Sequence, residues 1–186
     1  CFARHSNSSH PGPGSPGHPL DQRCPLSLPH PEGKLISLDE WASVRAGLHT
    51  EGHTIVFTNG CFDLLHPGHI HVLTEAKKLG DLLVLGLNSD ASVRRLKGND
   101  RPVDKIHTRI AKLEALSPID HVIVFEQDTP TIVIKRIRPD ILVKGCDYSL
   151  DQIVGREIVE SYGGTVRTVP FLEGHSTSGT IGTKKL

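Results

Sequence analysis

His66 and His69 stand three positions apart and enclose Pro67 and Gly68, directly after the run Thr58-Asn59-Gly60-Cys61-Phe62-Asp63-Leu64-Leu65. Imidazole N–H groups are good donors to anions, and their protonation lies close to neutral pH. Ahead of the motif is the apolar run Ile55, Val56, Phe57; behind it Ile70, Leu73, Ala76 and Leu79 recur at helical spacing. A β-branched and aromatic run, a glycine-bearing turn and then a helical period predict a strand feeding a helix. Both histidines then sit at a helix N-terminus, where backbone N–H groups and the macrodipole already favour an anion. The chemistry this predicts is phosphate binding. Two other readings stay open on these residues alone. Pro67 and Gly68 make a plain turn with exposed histidines, or Cys61, Asp63, His66 and His69 form a zinc set. Structural zinc usually takes a second ligand pair further along, and none follows.

The elements that must position these residues read off in order. Ser37 with Glu40 three residues on is a capping box for a helix over 38–48. Strands are predicted over 54–58, 82–88, 121–125, 141–144 and 165–169, and helices over 67–79, 104–116, 130–138 and 152–162. A short helix capped by Ser89 and Asp90 precedes a basic segment, Arg94 to Pro102, which reads as a loop. Ser176, Thr177 and Ser178 cap a last helix. Strands alternating with helices imply right-handed βαβ units. The expected fold is α/β, a Rossmann-like, doubly wound, five-stranded parallel sheet of order 3-2-1-4-5. Ligands in such sheets lie beyond the carboxyl ends of the strands, at the point where the order reverses. That is where His66 and His69, Asn88 and Asp90, Lys144 and Asp147, and Ser176 and Thr177 are expected to converge.

Composition narrows the function classes. Lys plus Arg equals Asp plus Glu at 21 each, so there is no global basic field of the kind that non-specific nucleic-acid binding rests on. Cysteines at 1, 24, 61 and 146 make a poor disulfide framework, which fits a reducing cytoplasm. No apolar run is long enough for a membrane helix, and the start has no secretory signal pattern. Residues 1–33 are crowded with Pro, Gly, Ser and His and are expected to form a disordered tail, with a single domain over 34–186. The absence of Met, even at position 1, points to a natural start that is not shown.

Gly60-Cys61-Phe62-Asp63-Leu64-Leu65-His66-Pro67-Gly68-His69 resembles the GxFDxxHxGH motif of the cytidylyltransferase-like nucleotidyltransferases. Within them, Asn88 to Gly98 with Arg101-Pro102, and Leu142-Val143-Lys144-Gly145-Cys146-Asp147-Tyr148, look like the heptose 1-phosphate adenylyltransferases. The resemblance covers about residues 35–181. It implies AMP transfer from ATP, with Mg²⁺, to a sugar 1-phosphate on the way to lipopolysaccharide, without nucleic-acid or membrane partners. It leaves a homodimer open and calls for a separate sugar kinase upstream. His66, His69 and Lys144 would be catalytic; Gly60, Cys61, Phe62, Asp63, Asn88, Asp90, Lys97, Arg109, Ser176 and Thr177 would bind the nucleotide. No protein-held metal is implied.

Several of these residues have plainer roles beside the functional ones. Lys97 and Lys144 suit phosphate as mobile point charges, or are simply solvated; Asp90 meets sugar hydroxyls or metal, or only caps a helix. Arg109 matches an arginine linked to triphosphate binding, or is a surface helix residue. Two departures stand out: Cys146 in place of the usual glycine of KGGDY, and glycines 179 and 182 in the last helix. A cytidylyltransferase acting on glycerol 3-phosphate, and a non-catalytic nucleotide-binding module, are the alternatives.

Overall fold

The structure is a computed structural model, and it describes residues 33–145 and 152–170. The elements run α1 (Leu38–Thr50), β1 (Ile55–Gly60), α2 (Pro67–Lys77), β2 (Leu82–Asn88), α3 (Asp90–Lys97), α4 (Ile106–Glu114), β3 (His121–Phe125), α5 (Thr131–Ile137), β4 (Ile141–Gly145), α6 (Arg156–Glu160) and β5 (Thr165–Val169). All strand pairs are parallel and the order is β3-β2-β1-β4-β5, as the alternation of strand and helix predicts. β1 therefore lies in the middle, with the order reversing on either side of it.

Central strands of such a sheet are covered on both faces and read as unbroken apolar runs. All seven residues of β2 are buried. On one face Val56, Leu83, Leu85, Leu87 and Val143 pack with Leu73 and Ala76 of α2 and Leu113 of α4. Each such side chain contributes roughly 1.5–3 kcal/mol by leaving water. Leu142 lies on the other face, within reach of Ile134 of α5 beside Gly155. α1 packs there too: Trp41 is fully buried, and its Nε1 and the Nε of Arg45 both donate to the carbonyl of Ile137. The capping box of α1 is formed, Ser37 Oγ accepting from Glu40 N at 3.2 Å and Glu40 Oε2 from Ser37 N at 2.8 Å.

The amino ends of the strands are tied by three aspartates. Asp81 accepts from Thr54 N, Asp140 from Ile55 N and Asp120 from Leu83 N, at 2.7, 2.8 and 2.7 Å. At the β3 edge, Lys34 O accepts from Val122 N and Ile36 N donates to Val122 O, extending the sheet by one bridge.

Several boundaries differ by a residue or two from the sequence pattern, and three of the differences bear on the site or have a local cause. β1 runs two residues further than expected, so Asn59 and Gly60 belong to the strand. α3 continues through Lys97, absorbing half of the segment read as a loop; Arg94, Arg95 and Lys97 fill its last turn, where cations complement the macrodipole, and Gly98 at φ 101° ends it. α6 is shorter than the predicted helix over 152–162, because Gly155 at φ 96° is left-handed and breaks the helical run before Arg156. The helix expected after Ser176 lies outside the described residues, as do residues 1–32 of the tail expected over 1–33. Among the described residues no helix is long and apolar enough to cross a membrane.

Candidate active site

Where β1 gives way to α2, the backbone turns sharply. Phe62 is non-glycine at φ 44°, a left-handed conformation that costs on the order of 1–3 kcal/mol and persists only where the surroundings impose it. Its ring folds back over Gly60, where a Cβ would lie 3.0 Å from Phe62 Cε2, and faces the His69 ring with centroids 5.1 Å apart. Gly60 therefore makes room for the aromatic wall of the site. His66 is the N-cap of α2 and Pro67 opens the helix, with no side chain capping it. Proline suits that first position because its missing N–H has no intrahelical partner there.

His66 and His69 come together as the spacing predicts, their rings stacked at 3.8 Å between centroids and 27° between planes. Burial pushes the His69 imidazole down to about 4, helped by the neighbouring His66 and by Lys97, and only partly countered by the Leu64 carbonyl. His69 is thus a neutral imidazole at physiological pH. Burial likewise raises the Cys61 thiol above its ordinary value, with Lys97, Arg109 and Lys144 opposing and Asp63 reinforcing the shift. A protonated thiol is a poor nucleophile. The same electrostatics report geometry: Lys97, Arg109, Asp63 and Lys144, from four different segments, all act on Cys61.

Arg109 reaches the site from α4 with its side chain fully buried. It donates from Nη1 to Cys61 O at 2.7 Å and Asn88 O at 2.8 Å, from Nε to Asp104 O at 3.1 Å, and from Nη2 to Asp90 Oδ1 at 2.6 Å. The planar fork of a guanidinium serves such a spread of acceptors, where an ammonium would not. Arg109 ties the ends of β1 and β2 to the start of α3, and its donors point into the frame of the site. Asn88 is buried and its Nδ2 donates to Ser92 Oγ at 2.9 Å, so its side chain also braces α3. Asp90 answers Arg109 and keeps 21% of its side chain exposed.

Asp63 is 4% exposed. Its Oδ1 accepts from Asp104 N at 3.0 Å and its Oδ2 pairs with Arg101 Nε at 2.9 Å, so it fastens the α3–α4 connection to the histidine loop. Of the four candidate zinc ligands, this one faces an arginine, and among the described residues no three His, Cys, Asp or Glu stand where they could hold one ion. Lys97 is exposed at the end of α3, beside the histidines. Lys144, at the carboxyl end of β4, donates from Nζ to Asn59 O at 3.0 Å and Asn59 Oδ1 at 2.5 Å. Ser176, Thr177, Cys146, Asp147 and Tyr148 lie outside the described residues.

Sequence reasoning passed over Asn59 and Arg101 as site residues. Asn59 sits inside the motif stretch but at a position expected to lie past the strand, and Arg101 belongs to the basic connection. Only the tertiary pairing with Lys144 and Asp63 gives them roles.

A family model described as cytidylyltransferase-like matches residues 57–182. The chain is 54% identical over 158 residues to the bifunctional protein HldE of Geobacter sulfurreducens, covering 84% of this chain and 32% of that protein. It is 58% identical over 130 residues to the bifunctional protein HldE of Syntrophotalea carbinolica, covering 70% and 26%. The chain thus spans roughly a third or less of the length of these curated relatives. Among solved structures, a lipopolysaccharide core biosynthesis protein from Thermoplasma volcanium matches with TM-score 0.55 and 31% identity over 65% of this chain and 98% of that one. A pantoate-beta-alanine ligase from Francisella tularensis, TM-score 0.54 at 14% identity over 73% and 66%, shares the fold.

Proposed function

The chain belongs to the cytidylyltransferase-like family and is a nucleotidyltransferase, and from that premise we propose that it transfers AMP from ATP to heptose 1-phosphate, releasing pyrophosphate and ADP-heptose. The observation that carries the phosphate chemistry is the stacked pair His66 and His69 at the start of α2, with His69 held neutral. The choice of adenine and of heptose rests on the likeness of Asn88 to Arg101 and of Leu142 to Tyr148 to the heptose 1-phosphate adenylyltransferases. It is supported by the identity to the bifunctional HldE proteins over most of this chain.

A phosphate monoester is already anionic at neutral pH, so attack at the α-phosphorus requires no general base. The protein's contribution is to align an in-line displacement and to stabilise charge as it grows on the phosphate oxygens. Imidazole N–H donors of His66 and His69 do this at the α- and β-phosphates, and Lys144 adds a fixed positive charge. Backbone N–H groups around Cys61 and Phe62 cradle the triphosphate, while Arg109 and Asp63 hold that cradle in shape. Mg²⁺ typically arrives on the phosphates with few protein ligands, and the donor set suits that: Asp63 is committed to Arg101, and Asp90, with part of its carboxylate exposed, would meet the ion. When bound, the ion neutralises triphosphate charge. The sugar phosphate is supplied by a kinase.

The test is pyrophosphate release with ATP or CTP, each offered heptose 1-phosphate and glycerol 3-phosphate, with calorimetry of both nucleotides. Turnover is expected with ATP and heptose 1-phosphate. Tighter CTP binding, or turnover only with glycerol 3-phosphate, overturns the assignment.

A further inference from the structure

Phe62, the left-handed residue of the histidine turn, is flanked by two residues that are held from the same place. On its amino side Cys61 O accepts from Arg109 Nη1 at 2.7 Å; on its carboxyl side Asp63 Oδ1 accepts from Asp104 N at 3.0 Å. Those two anchors are themselves joined, because Arg109 Nε donates to Asp104 O at 3.1 Å. The contacts make a closed circuit, which runs from Cys61 through Phe62 to Asp63, crosses the N–H and C=O of Asp104, and returns by Arg109 to Cys61. Rotation at Phe62 is thereby stopped on both sides, which supplies what a bulky residue at φ 44° requires of its surroundings. The circuit also has a direction. In a trans peptide the C=O and N–H point opposite ways, so holding Cys61 O on Arg109 turns the Phe62 N–H away from α4. Asp104 is fixed to α4 a second time, its carboxylate pairing with Lys112.

We propose that Asp104 is a positioning residue for phosphate transfer, its peptide N–H and C=O linking Asp63 to Arg109 so that Phe62 stays left-handed and presents its N–H to the triphosphate. This rests on the reading of the site as a phosphate-transfer site. Asp104 and Asp63 do not touch the reacting atoms; their effect passes through the Phe62 turn.

Phe62→Gly and Phe62→Ala both remove the aromatic ring, but only glycine accepts φ 44° without strain. In the native frame Phe62→Gly is expected to unfold at higher urea concentration than Phe62→Ala; with Asp63→Ala added to each, the turn is released and that gap should close. Lys112→Ala, which frees only the Asp104 side chain, should leave the gap as it is. Calorimetric binding of tripolyphosphate to the full chain, without divalent metal, reads the aim of the turn. Asp63→Ala is expected to weaken it about tenfold, the worth of one hydrogen bond to a charged group. Loss of a negative charge by itself would instead tighten the binding of a polyanion. A gap that survives Asp63→Ala, an equal closing by Lys112→Ala, or undiminished tripolyphosphate affinity in Asp63→Ala overturns the proposal. Should Asp63→Ala fail to fold, Asp63→Asn decides: a neutral acceptor holds Asp104 N less firmly, so the gap should narrow and the Asp104 amide proton signal should move. An unmoved signal with the full gap overturns the proposal. A wild-type protein that binds tripolyphosphate but releases no pyrophosphate from ATP and heptose 1-phosphate overturns the functional reading instead, and the gap between the Phe62 variants still judges Asp104.

Discussion

The imidazole rings of His66 and His69 lie face to face, 3.8 Å between centroids. Two cations could not rest at that separation without strong repulsion, and burial adds to the penalty on His69. At least one of the two is therefore uncharged, and on the proposed reading the pair would serve as hydrogen-bond donors whose worth increases as the phosphate oxygens gain charge.

Replacing either histidine with Ala is expected to lower turnover far more than it weakens ATP binding, since the lost interaction belongs to the transition state. By analogy with removal of one oxyanion donor, each change should cost about 10²- to 10³-fold in kcat, or about 3 to 4 kcal/mol. Steady-state kinetics beside ATP calorimetry checks this. Normal turnover in both folded variants would sink the catalytic role.

The depressed His69 value carries a stability signature. Folded His69 titrates at about 4 against an ordinary 6.5, so between those values the unfolded chain binds more protons than the folded one. Stability attributable to this residue rises with pH through that window and is complete above it. Urea unfolding at several pH values should give a shallower slope there for His69→Asn than for the native chain. An unchanged slope would mean His69 is not protected from protonation.

Arg109→Met should destabilise the domain on the order of 3 to 5 kcal/mol, because it leaves Asp90 and three carbonyl groups without their common donor. Arg109→Lys should restore only part of this, a single ammonium being unable to span the set. Denaturant melts of the three proteins decide it. Full rescue by Lys would show that charge alone matters at this position.

Gly86→Ala places a methyl 2.8 Å from Phe57 Cζ and 3.1 Å from Asn59 Cβ in the middle of the sheet. Overpacking of this kind costs about 1–3 kcal/mol. A lowered melting temperature together with a reduced kcat is expected, as Asn59 is displaced. Unaltered melting would show that the sheet has slack at this point.

Much of the architecture was legible because β1 to β4 are apolar runs of strand length separated by helical periods, and burial on both faces demands that pattern. The histidine pair was legible because its spacing and its place after β1 are both local. Arg109 was different. Its burial depends on acceptors from the residue after β1, from β2, α3 and the α3–α4 connection, which no window of sequence brings together, so a surface role stayed open as the lesser alternative to a site role. Asp63 reads as a ligand from its motif position, and its bracing contact to Arg101 was not legible because that partner is distant in sequence. The end of α3 was missed for a related reason: basic residues beside a glycine resemble a loop until their place in the last helical turn is seen.

Lys97 and Lys144 both act on Cys61 and bring positive charge to the histidine end of the sheet. The formal charge of the whole chain is nonetheless zero, with 21 basic and 21 acidic residues. A highly charged triphosphate approaching that end is drawn by local charge rather than by any net charge of the chain, and should meet the histidines more often than chance would allow. The encounter rate of ATP should fall as ionic strength rises even though the chain is neutral, because salt screens these lysines over about 8 to 10 Å.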